Sequence, residues 1–325
     1  MNYSPPGYYL WDFWLILEAP QYHLFHLQAP RSLSNPELRH NCATIGHAVA
    51  SDLRNWRNEG EVLSPGEVGE WDDLSVWTGS VVKSGAVYYM LYTGRCRAEQ
   101  GTIQRIGLAC SDDLYHWEKH PGNPLIEADP EYYEKFGTSD YYWESWRDPY
   151  LFYHHDHRCH YALITARARR GELDERGCIA VAKTNDFFHW EILPPLCCPV
   201  KFSEMEVPQV FQREGRTYLL FSTNPFWYAD SYRGQIDFEP WEGDHYLMAD
   251  SLFGQYRMVS DGILSRANKH AYASKIVIAP GGTLSLLSWL SRTPGSDEFA
   301  GVLSHPMPVL FGADGVPCIA VGSYD

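Results

Sequence analysis

Three carboxylates in three distinct sequence settings could carry acid–base and nucleophilic chemistry. Asp12 lies in the segment YLWDFW, Asp148 in WRDP and Glu206 in MEVPQ. Cleavage of a glycosidic bond needs one carboxyl group as an acid and another as a base or nucleophile. The three residues are far apart in sequence, so they can share such chemistry only if the fold brings them to one place.

An imperfect repeat organises the first two thirds of the chain. Its copies are ASDLRNW at 50–56, CSDDLYHW at 110–117 and KTNDFFHW at 183–190, and each follows a short run of small apolar residues. This pattern predicts a strand, an Asp-containing turn and then a Trp that begins the next strand.

Other short segments have the composition of β-strands, because they are rich in β-branched and aromatic residues and are bounded by Gly, Pro, Asp or Asn. These segments span residues 86–93, 159–165, 217–222, 273–279 and 284–289. Long helical periodicity is absent, and the best candidate for a short helix is near Pro130 to Lys135. The sequence therefore predicts an all-β protein.

The spacing of the repeat predicts a β-propeller. A unit of about 60 residues with several strands cannot bury both faces of its sheet alone, so neighbouring units must stack radially. The 325 residues then form about five blades, in a single domain that spans residues 1–325. The innermost strands would surround a central funnel in which Asp12, Asp148 and Glu206 converge. A β-sandwich or a two-domain β protein is the alternative.

Charge and composition limit the classes of partner. The formal net charge is −15 at pH 7, whereas nucleic acids and anionic membranes bind basic surfaces. No apolar run approaches 18 residues, so we expect no membrane-spanning helix. The N-terminus lacks a basic start followed by an apolar stretch, which predicts a cytoplasmic protein without a signal peptide. The eight Cys residues are expected to be reduced thiols.

We expect no metal and no cofactor. The segment HHDH at 154–157 contains metal-ligand types, but adjacent side chains on a strand point in alternating directions. A hairpin turn between Phe152 and Cys159 is therefore favoured. The expected partner is a small molecule, and exposed Trp and Tyr rings would suit the faces of a sugar.

Several motifs, taken in order, resemble the five-bladed fructosidase clan, which comprises glycoside hydrolase families 32 and 68. The resemblance extends from about Tyr9 to Tyr256. The segments that carry it are YHLFHLQAP at 22–30, IGHAVASDLRNW at 45–56, VWTGS at 76–80, RDP at 147–149, EVP at 206–208 and HYLMADSLFG at 245–254. VWTGS is similar to the Trp-Ser-Gly-Ser segment of family 32, and EVP is similar to its Glu-Cys-Pro.

The chain also departs from the family pattern. The segment WDFW at 11–14 is closer to the Trp-Asp-Ser-Trp of family 68 than to the Asn-Asp-Pro-Asn of family 32. Family 32 enzymes usually carry a C-terminal β-sandwich, and this chain ends too soon for one. We therefore expect a divergent member that consists of the propeller alone.

The resemblance implies a separate role for each carboxylate. Asp12 would be the nucleophile and Glu206 the acid/base. Asp148 would bind sugar hydroxyls and stabilise a positively charged transition state. Glu204, two residues before Glu206, is the alternative acid, and capping of a turn is the alternative role for Asp12.

Six further residues are candidates for substrate binding. Arg147 could bind a hydroxyl or form a structural salt bridge, and Trp77 could flank a sugar ring. The others are Ser80, Gln28, Trp11 and Trp14, and for each of them a role in the core or in stabilising a blade is the alternative.

These roles predict a retaining glycoside hydrolase that acts on small β-fructofuranosides through a covalent fructosyl intermediate on Asp12. Retention requires the Asp12 and Glu206 carboxyl groups to lie about 5–5.5 Å apart, whereas an inverting, arabinosidase- or xylosidase-like propeller needs about 6.5–9.5 Å. A levansucrase-like fructosyltransferase would use the same three carboxylates. A non-catalytic carbohydrate-binding propeller need not keep them.

Overall fold

The computed structural model describes residues 2–264, 266, 270–292, 295–296 and 298–319. Within them, the strands form five antiparallel sheets that are the blades of a five-bladed β-propeller. The predicted fold class is confirmed.

The first three blades each have four strands in chain order. Blade 1 comprises β1 (Tyr8–Glu18), β2 (Gln21–Pro30), β3 (Thr44–Ala50) and β4 (Arg57–Leu63). Blade 2 comprises β5 (Ser75–Ser84), β6 (Val87–Arg95), β7 (Gln104–Ser111) and β8 (Glu118–Lys119). Blade 3 comprises β9 (Trp146–His154), β10 (Cys159–Arg167), β11 (Gly177–Thr184) and β12 (Glu191–Cys197).

The last two blades are less regular. Blade 4 comprises β13 (Glu206–Arg213), β14 (Arg216–Thr223) and β15 (Gly243–Ala249), and Arg257 and Ile263 extend its outer edge through isolated bridges to β15. Blade 5 comprises β16 (Ala271–Ile278), β17 (Leu284–Leu290), β18 (Val302–Leu303), β19 (Met307–Phe311) and β20 (Pro317–Ile319), with β18 beside β17.

The five predicted strands correspond to β6, β10, β14, β16 and β17 and agree with them to within two residues at each end. The predicted helix near Pro130 to Lys135 is wrong. This segment makes a single turn, in which the amides of Tyr132 and Tyr133 both donate to the carbonyl of Asp129. The amide of Glu134 then donates to the carbonyl of Arg167, so the helix does not continue. The short helices of the described residues are Pro36–Asn41, Leu173–Glu175, Pro225–Trp227 and Asp230–Arg233.

The repeated Asp-containing segment forms the turn between the third and fourth strands of blades 1, 2 and 3. Asp52, Asp113 and Asp186 each accept two backbone N–H bonds from the residues that follow. The residue after each Asp has a positive φ, between 60° and 71°. The same hydrogen-bonded turn thus occurs in three blades, as the sequence predicts.

The apolar core lies between the blades. Three of its four clusters each join two neighbouring blades, as the cluster that contains Trp146 does for blades 2 and 3, and the largest cluster joins blade 1 to both blade 5 and blade 2. Burial between sheets stabilises the ring, because neither face of a blade could be covered within its own sheet.

The first strand of each blade is the innermost, since these five strands together line one narrow channel. Each blade also has one register shift on this strand or directly opposite it. The shifts lie near Asp12, Thr78, Asp148, Val207 and Ala273. A bulge adds a residue, bends the strand and redirects a side chain, so each inner strand can present one group to the same end of the channel.

In the part of the chain that the structure describes, no helix is long and apolar enough to cross a membrane.

Candidate active site

A cavity of about 530 Å³ opens where the five bulges meet. Residues from all five blades line it, and they are predominantly aromatic or charged. They include Trp11, Asp12, Arg39, His40, Trp77, Arg95, Trp143, Arg147, Asp148, Glu206, Asn224, Phe226, Trp227, Glu242, Tyr272 and Trp289. The fold thus brings the three predicted catalytic carboxylates, from blades 1, 3 and 4, to one place.

Asp12 lies at the bulge of β1 and receives a hydrogen bond on each carboxylate oxygen. Thr78 Oγ1 donates to Oδ2 at 2.5 Å, and the indole Nε1 of Trp289 donates to Oδ1 at 2.9 Å. Both donors stabilise the ionised carboxylate. The two donors come from blades 2 and 5, which lie on either side of blade 1, and so they fix the orientation of the Asp12 carboxylate from both sides.

Glu206 begins β13 and has 18% of its side chain exposed, at the cavity. Its Oε1 accepts a bond from Arg147 Nη2 at 2.8 Å, and its Oε2 accepts one from the hydroxyl of Tyr272 at 2.5 Å. Burial raises the pKa of Glu206 to about 7; the Asp148 charge adds to this rise, while Arg147 and Tyr272 oppose it. A carboxyl group with this pKa can both give and take a proton near neutral pH.

Asp148 is buried and has a φ of 57°, a conformation that few non-glycine residues adopt. Its Oδ2 accepts bonds from Thr165 Oγ1 at 3.0 Å and from the amide of Val207 at 3.3 Å. Burial raises the pKa of Asp148 to about 6, and the neighbouring charge of Asp12 contributes to the rise. Val207 and Ala273, at the bulges of blades 4 and 5, also have a positive φ, so this conformation belongs to the bulge itself.

Arg147 connects the acidic groups beneath the cavity wall. Its Nη2 donates to Glu204 at 2.9 Å as well as to Glu206, and its Nε lies 3.5 Å from Asp148. Burial alone would lower the pKa of this guanidinium, but the three carboxylates together raise it well above its ordinary value. Arg147 thus forms the structural salt bridges and also lines the cavity, while its binding of a sugar hydroxyl stays a prediction.

Glu204, the alternative acid, lies outside the cavity. It is completely buried and accepts bonds from Trp143 Nε1, from the hydroxyl of Ser145 and from Arg147. Because its side chain is fully buried, Glu204 is closed to a substrate oxygen, and its bonds hold the wall of the cavity.

Two of the predicted binding residues, Trp11 and Trp77, line the cavity. The Nε1 of Trp77 donates to the carbonyl of His40 at 2.8 Å, and the guanidinium of Arg95 lies 4.1 Å from the centre of a Trp77 ring. These contacts fix the ring at the cavity wall, as a surface against which a sugar could pack.

Three other predicted binding residues lie away from the cavity, and their prediction is corrected. Ser80 Oγ accepts the amide of Leu151 at 2.8 Å and ties blade 2 to blade 3. Gln28 bonds Thr44 within blade 1. Trp14 lies beside the channel, because the inner strand has already passed below the cavity two residues after Asp12.

Thr78, Tyr272 and Trp289 contact the carboxylates but were not predicted from the sequence. Thr78 carries a signal, since it stands next to Trp77 in a recognisable motif. Tyr272 and Trp289 lie beyond Tyr256, where the recognisable motifs end, so nothing in the sequence distinguishes them from core aromatics.

The segment at 154–157 forms the predicted hairpin turn, in which Arg158 N bonds the carbonyl of His154 at 2.9 Å. Among the described residues, no group of three or more His, Cys, Asp or Glu side chains is arranged to hold a metal ion.

Comparison with known proteins places the chain in a family. Residues 14–309 match the family model for the glycosyl hydrolases family 32 N-terminal domain. The chain is 26% identical over 275 residues to a sucrose-6-phosphate hydrolase of Pediococcus pentosaceus, which covers 83% of this chain and 50% of that protein. It is 30% identical over 183 residues to a sucrose:sucrose 1-fructosyltransferase of Festuca arundinacea, which covers 53% of this chain and 24% of that protein. The chain thus spans half or less of the length of these two relatives.

Solved structures share the fold. An inulosucrase from Halalkalicoccus jeotgali bound to kestose superposes with a TM-score of 0.79 at 23% identity and covers 98% of this chain and 90% of that one. The β-fructofuranosidase catalytic domain of Microbacterium saccharophilum K-1 gives a TM-score of 0.76 at 18% identity, with 99% and 82% covered. The family match includes the inner strands of four blades and both Asp148 and Glu206, and Asp12 lies two residues before it. The chain therefore belongs to the glycosyl hydrolases family 32.

Proposed function

We propose that the chain is a retaining β-fructofuranosidase that acts on small fructosides. One observation carries the proposal: three carboxylates from three blades line a single cavity, each held by different donors. Asp12 accepts two hydrogen bonds that hold its carboxyl group in place, while burial raises the pKa of Glu206 to about 7. A fixed nucleophile and a carboxyl group that can give and take a proton are what the reaction requires.

The proposed reaction has two steps. In the first, the Asp12 carboxylate attacks the anomeric carbon of the fructosyl unit while Glu206 gives its proton to the leaving oxygen. In the second, ionised Glu206 takes a proton from water, whose oxygen attacks the same carbon and releases Asp12. Asp148, which lines the same cavity, would stabilise the positive charge that develops on the sugar ring in both steps.

A small substrate fits the size of the cavity. A volume of about 530 Å³ is within the ordinary range for small-molecule sites. Trp11 and Trp77 could cover apolar faces of a sugar ring, and Arg95, Asn224 and Glu242 could bind its hydroxyls. Several relatives are named for their action on sucrose or its phosphate, which makes sucrose the first fructoside to test.

The test is a screen of sucrose, sucrose 6-phosphate, raffinose, inulin and levan, with detection of released fructose. Asp12→Asn should keep the fold and reduce kcat by about 10⁴-fold or more, because no nucleophile remains. Asp112→Asn, an exposed carboxylate on blade 2, is the matched control. Full activity in Asp12→Asn would refute the assignment, and a well-folded wild type that binds but never cleaves these sugars would favour a binding propeller.

Stereochemistry separates the retaining mechanism from the inverting one. NMR spectra recorded within the first seconds of sucrose cleavage should show the β-anomer of fructofuranose before mutarotation. The α-anomer would indicate inversion, with a water molecule between the carboxyl groups.

Transfer of the fructosyl group is the second candidate. It is favoured by the setting of Asp12 between Trp11 and Phe13, which is similar to family 68, and by the presence of transferases among the relatives. At high sucrose concentration, chromatography should detect kestose-like products if a second sugar replaces water. A fructose-to-glucose ratio of one at all concentrations would show hydrolysis only.

A further inference from the structure

A buried lysine lies in the channel directly below the cavity. The channel has a volume of about 170 Å³ and is lined by the inner strands of all five blades. Lys275, on β16, is 6% exposed and is the one basic side chain among the described residues that line it. Asp148 lines both the channel and the cavity, so the two spaces share a wall.

The ammonium group of Lys275 is bound to the bulge that carries Glu206. Its Nζ donates to the carbonyl of Val207 at 3.1 Å and reaches that of Pro208 at 3.5 Å. Val207 has a φ of 52°, and its amide bonds Asp148. One side chain of blade 5 thus holds the backbone that links Glu206 to Asp148.

Two carbonyl oxygens bind this ammonium group, and the charges of three carboxylates act on it through space. The acidic groups that act on it are Asp12 on β1, Asp148 on β9 and Asp244 on β15. Burial lowers the pKa of Lys275 to about 8, and the three carboxylates oppose this fall. The lysine therefore remains charged at neutral pH, and because the attraction between two charges is mutual, it stabilises the ionised carboxylates equally.

A nearby cation lowers the free-energy cost of keeping these carboxylates ionised at the same time. Asp12 and Asp148 repel each other, and burial also disfavours the charge on Asp148. Arg147 offsets part of this cost from the side of the cavity wall, where it also pairs with Glu204 and Glu206. Lys275 acts from the opposite side, through the channel.

We propose that Lys275 is a positioning residue for the reaction: from beneath the cavity, its ammonium group keeps Asp12 and Asp148 ionised together and holds the β13 bulge that presents Glu206. The proposal rests on the proposed function, because it assigns Asp12 the role of nucleophile. It adds to the three carboxylates and Arg147 a charged group that contacts no substrate.

The experiment measures the pH dependence of kcat/KM for sucrose, or for the fructoside cleaved fastest in the screen, in Lys275→Met and Lys275→Gln. The acidic limb reports ionisation of the nucleophile in the free enzyme. The midpoint of this limb should move up by about one pH unit. At pH values below the midpoint, kcat/KM should then be about tenfold lower than in the wild type. Lys275→Arg, which keeps the charge, should leave the limb near its wild-type position. Lys119→Met is the control: it removes an ammonium group of blade 2 that pairs with Asp72, and it should leave the acidic limb in place.

An unmoved acidic limb in Lys275→Met and Lys275→Gln would overturn the proposal. So would equal loss of activity at every pH in the Met, Gln and Arg variants, since that result indicates packing alone. A measurement without substrate separates this failure from failure of the proposed function. In ¹³C-carboxyl spectra of labelled Asp, the Asp148 titration, assigned with Asp148→Asn, should move to higher pH in Lys275→Met even if no fructoside is cleaved.

Discussion

At the residue scale, each carboxyl group in the cavity has a different set of hydrogen-bond partners. Among the described residues, the donors to Asp12 are neutral, whereas Glu206 accepts bonds from a guanidinium group and a phenol. Burial acts on Glu206 and Asp148 in the same direction, towards the protonated form. Their surroundings therefore decide which group is ready to give a proton.

Tyr272 is hydrogen-bonded to Glu206, the proposed acid. Because its hydroxyl donates to ionised Glu206, its removal in Tyr272→Phe should raise the pKa of Glu206 further. In the wild type, kcat/KM should fall as pH rises through about 7, since the acid is then deprotonated. In the variant, this basic limb should move to higher pH. Tyr22→Phe, which loses only a bond to the carbonyl of Ile278, is the control. A limb that moves to lower pH would contradict the role of Tyr272.

Substitutions of Glu204 and of Glu206 should have different effects, the first mainly on the free energy of unfolding and the second mainly on kcat. Glu204→Ala would leave the buried Arg147 without one of its partners and should lower the free energy of unfolding by about 3–5 kcal/mol. Glu206→Gln should change that free energy far less but abolish most of kcat. Urea denaturation and sucrose turnover, measured on both variants, check this. Equal stability of Glu204→Ala and the wild type would remove the structural role of Glu204.

At the element scale, the Asp-containing turn is the unit that the sequence reveals best, because three blades keep the same bonds. Asp113 accepts the amides of Tyr115 and His116 at 2.8 Å and pairs with the His116 ring at 2.7 Å. Asp113→Ala should lower the free energy of unfolding by about 1–2 kcal/mol, as loss of a helix cap does. Activity at saturating substrate should not change. Asp112→Ala, its exposed neighbour, is the control, and equal effects of the two changes would show that the turn bonds contribute little.

The elements also explain where sequence reasoning succeeds and where it ends. Strands between turns are predictable, because β-branched and aromatic runs bounded by turn residues have one ready interpretation. In the described residues of blades 4 and 5 the repeated turn does not recur. Tyr272 and Trp289 reach the carboxylates through the packing of blade 5 against blades 4 and 1. Ser80 is the opposite case: it belongs to a recognisable motif and was predicted to bind substrate, but it joins two blades instead.

At the scale of the whole molecule, the site depends on closure of the ring between blades 1 and 5. Asp12 on blade 1 is bonded by Trp289 on blade 5, so any separation of these blades would remove a donor from the proposed nucleophile. The N-terminal segment crosses this junction, where Tyr3 forms a two-way bridge with Leu303 and the amide of Leu10 bonds the carbonyl of Gly301. Stability and activity should therefore be linked at this place more strongly than elsewhere.

Arg31 provides the sharpest test of that link. Its guanidinium group, just after β2, donates to the carbonyls of Ala300 at 2.8 Å and Gly301 at 3.3 Å on the far side of the junction, and to Tyr8 O at 2.9 Å. Arg31→Ala should lower the free energy of unfolding by about 1–2 kcal/mol, and activity should be lost at a lower urea concentration than in the wild type.

The matched control is Arg57→Ala, because Arg57 is an exposed arginine of blade 1 that pairs with Glu59 at 2.6 Å within its own blade. An exposed pair of this kind contributes about 0–1 kcal/mol, so the urea midpoint should stay near that of the wild type. If the two variants lost stability and activity equally, the bonds across the junction would not be what closes the ring. If Arg31→Ala alone lost activity before its far-ultraviolet signal, the junction would open locally, and Asp12 would lose Trp289 while the other blades stayed folded.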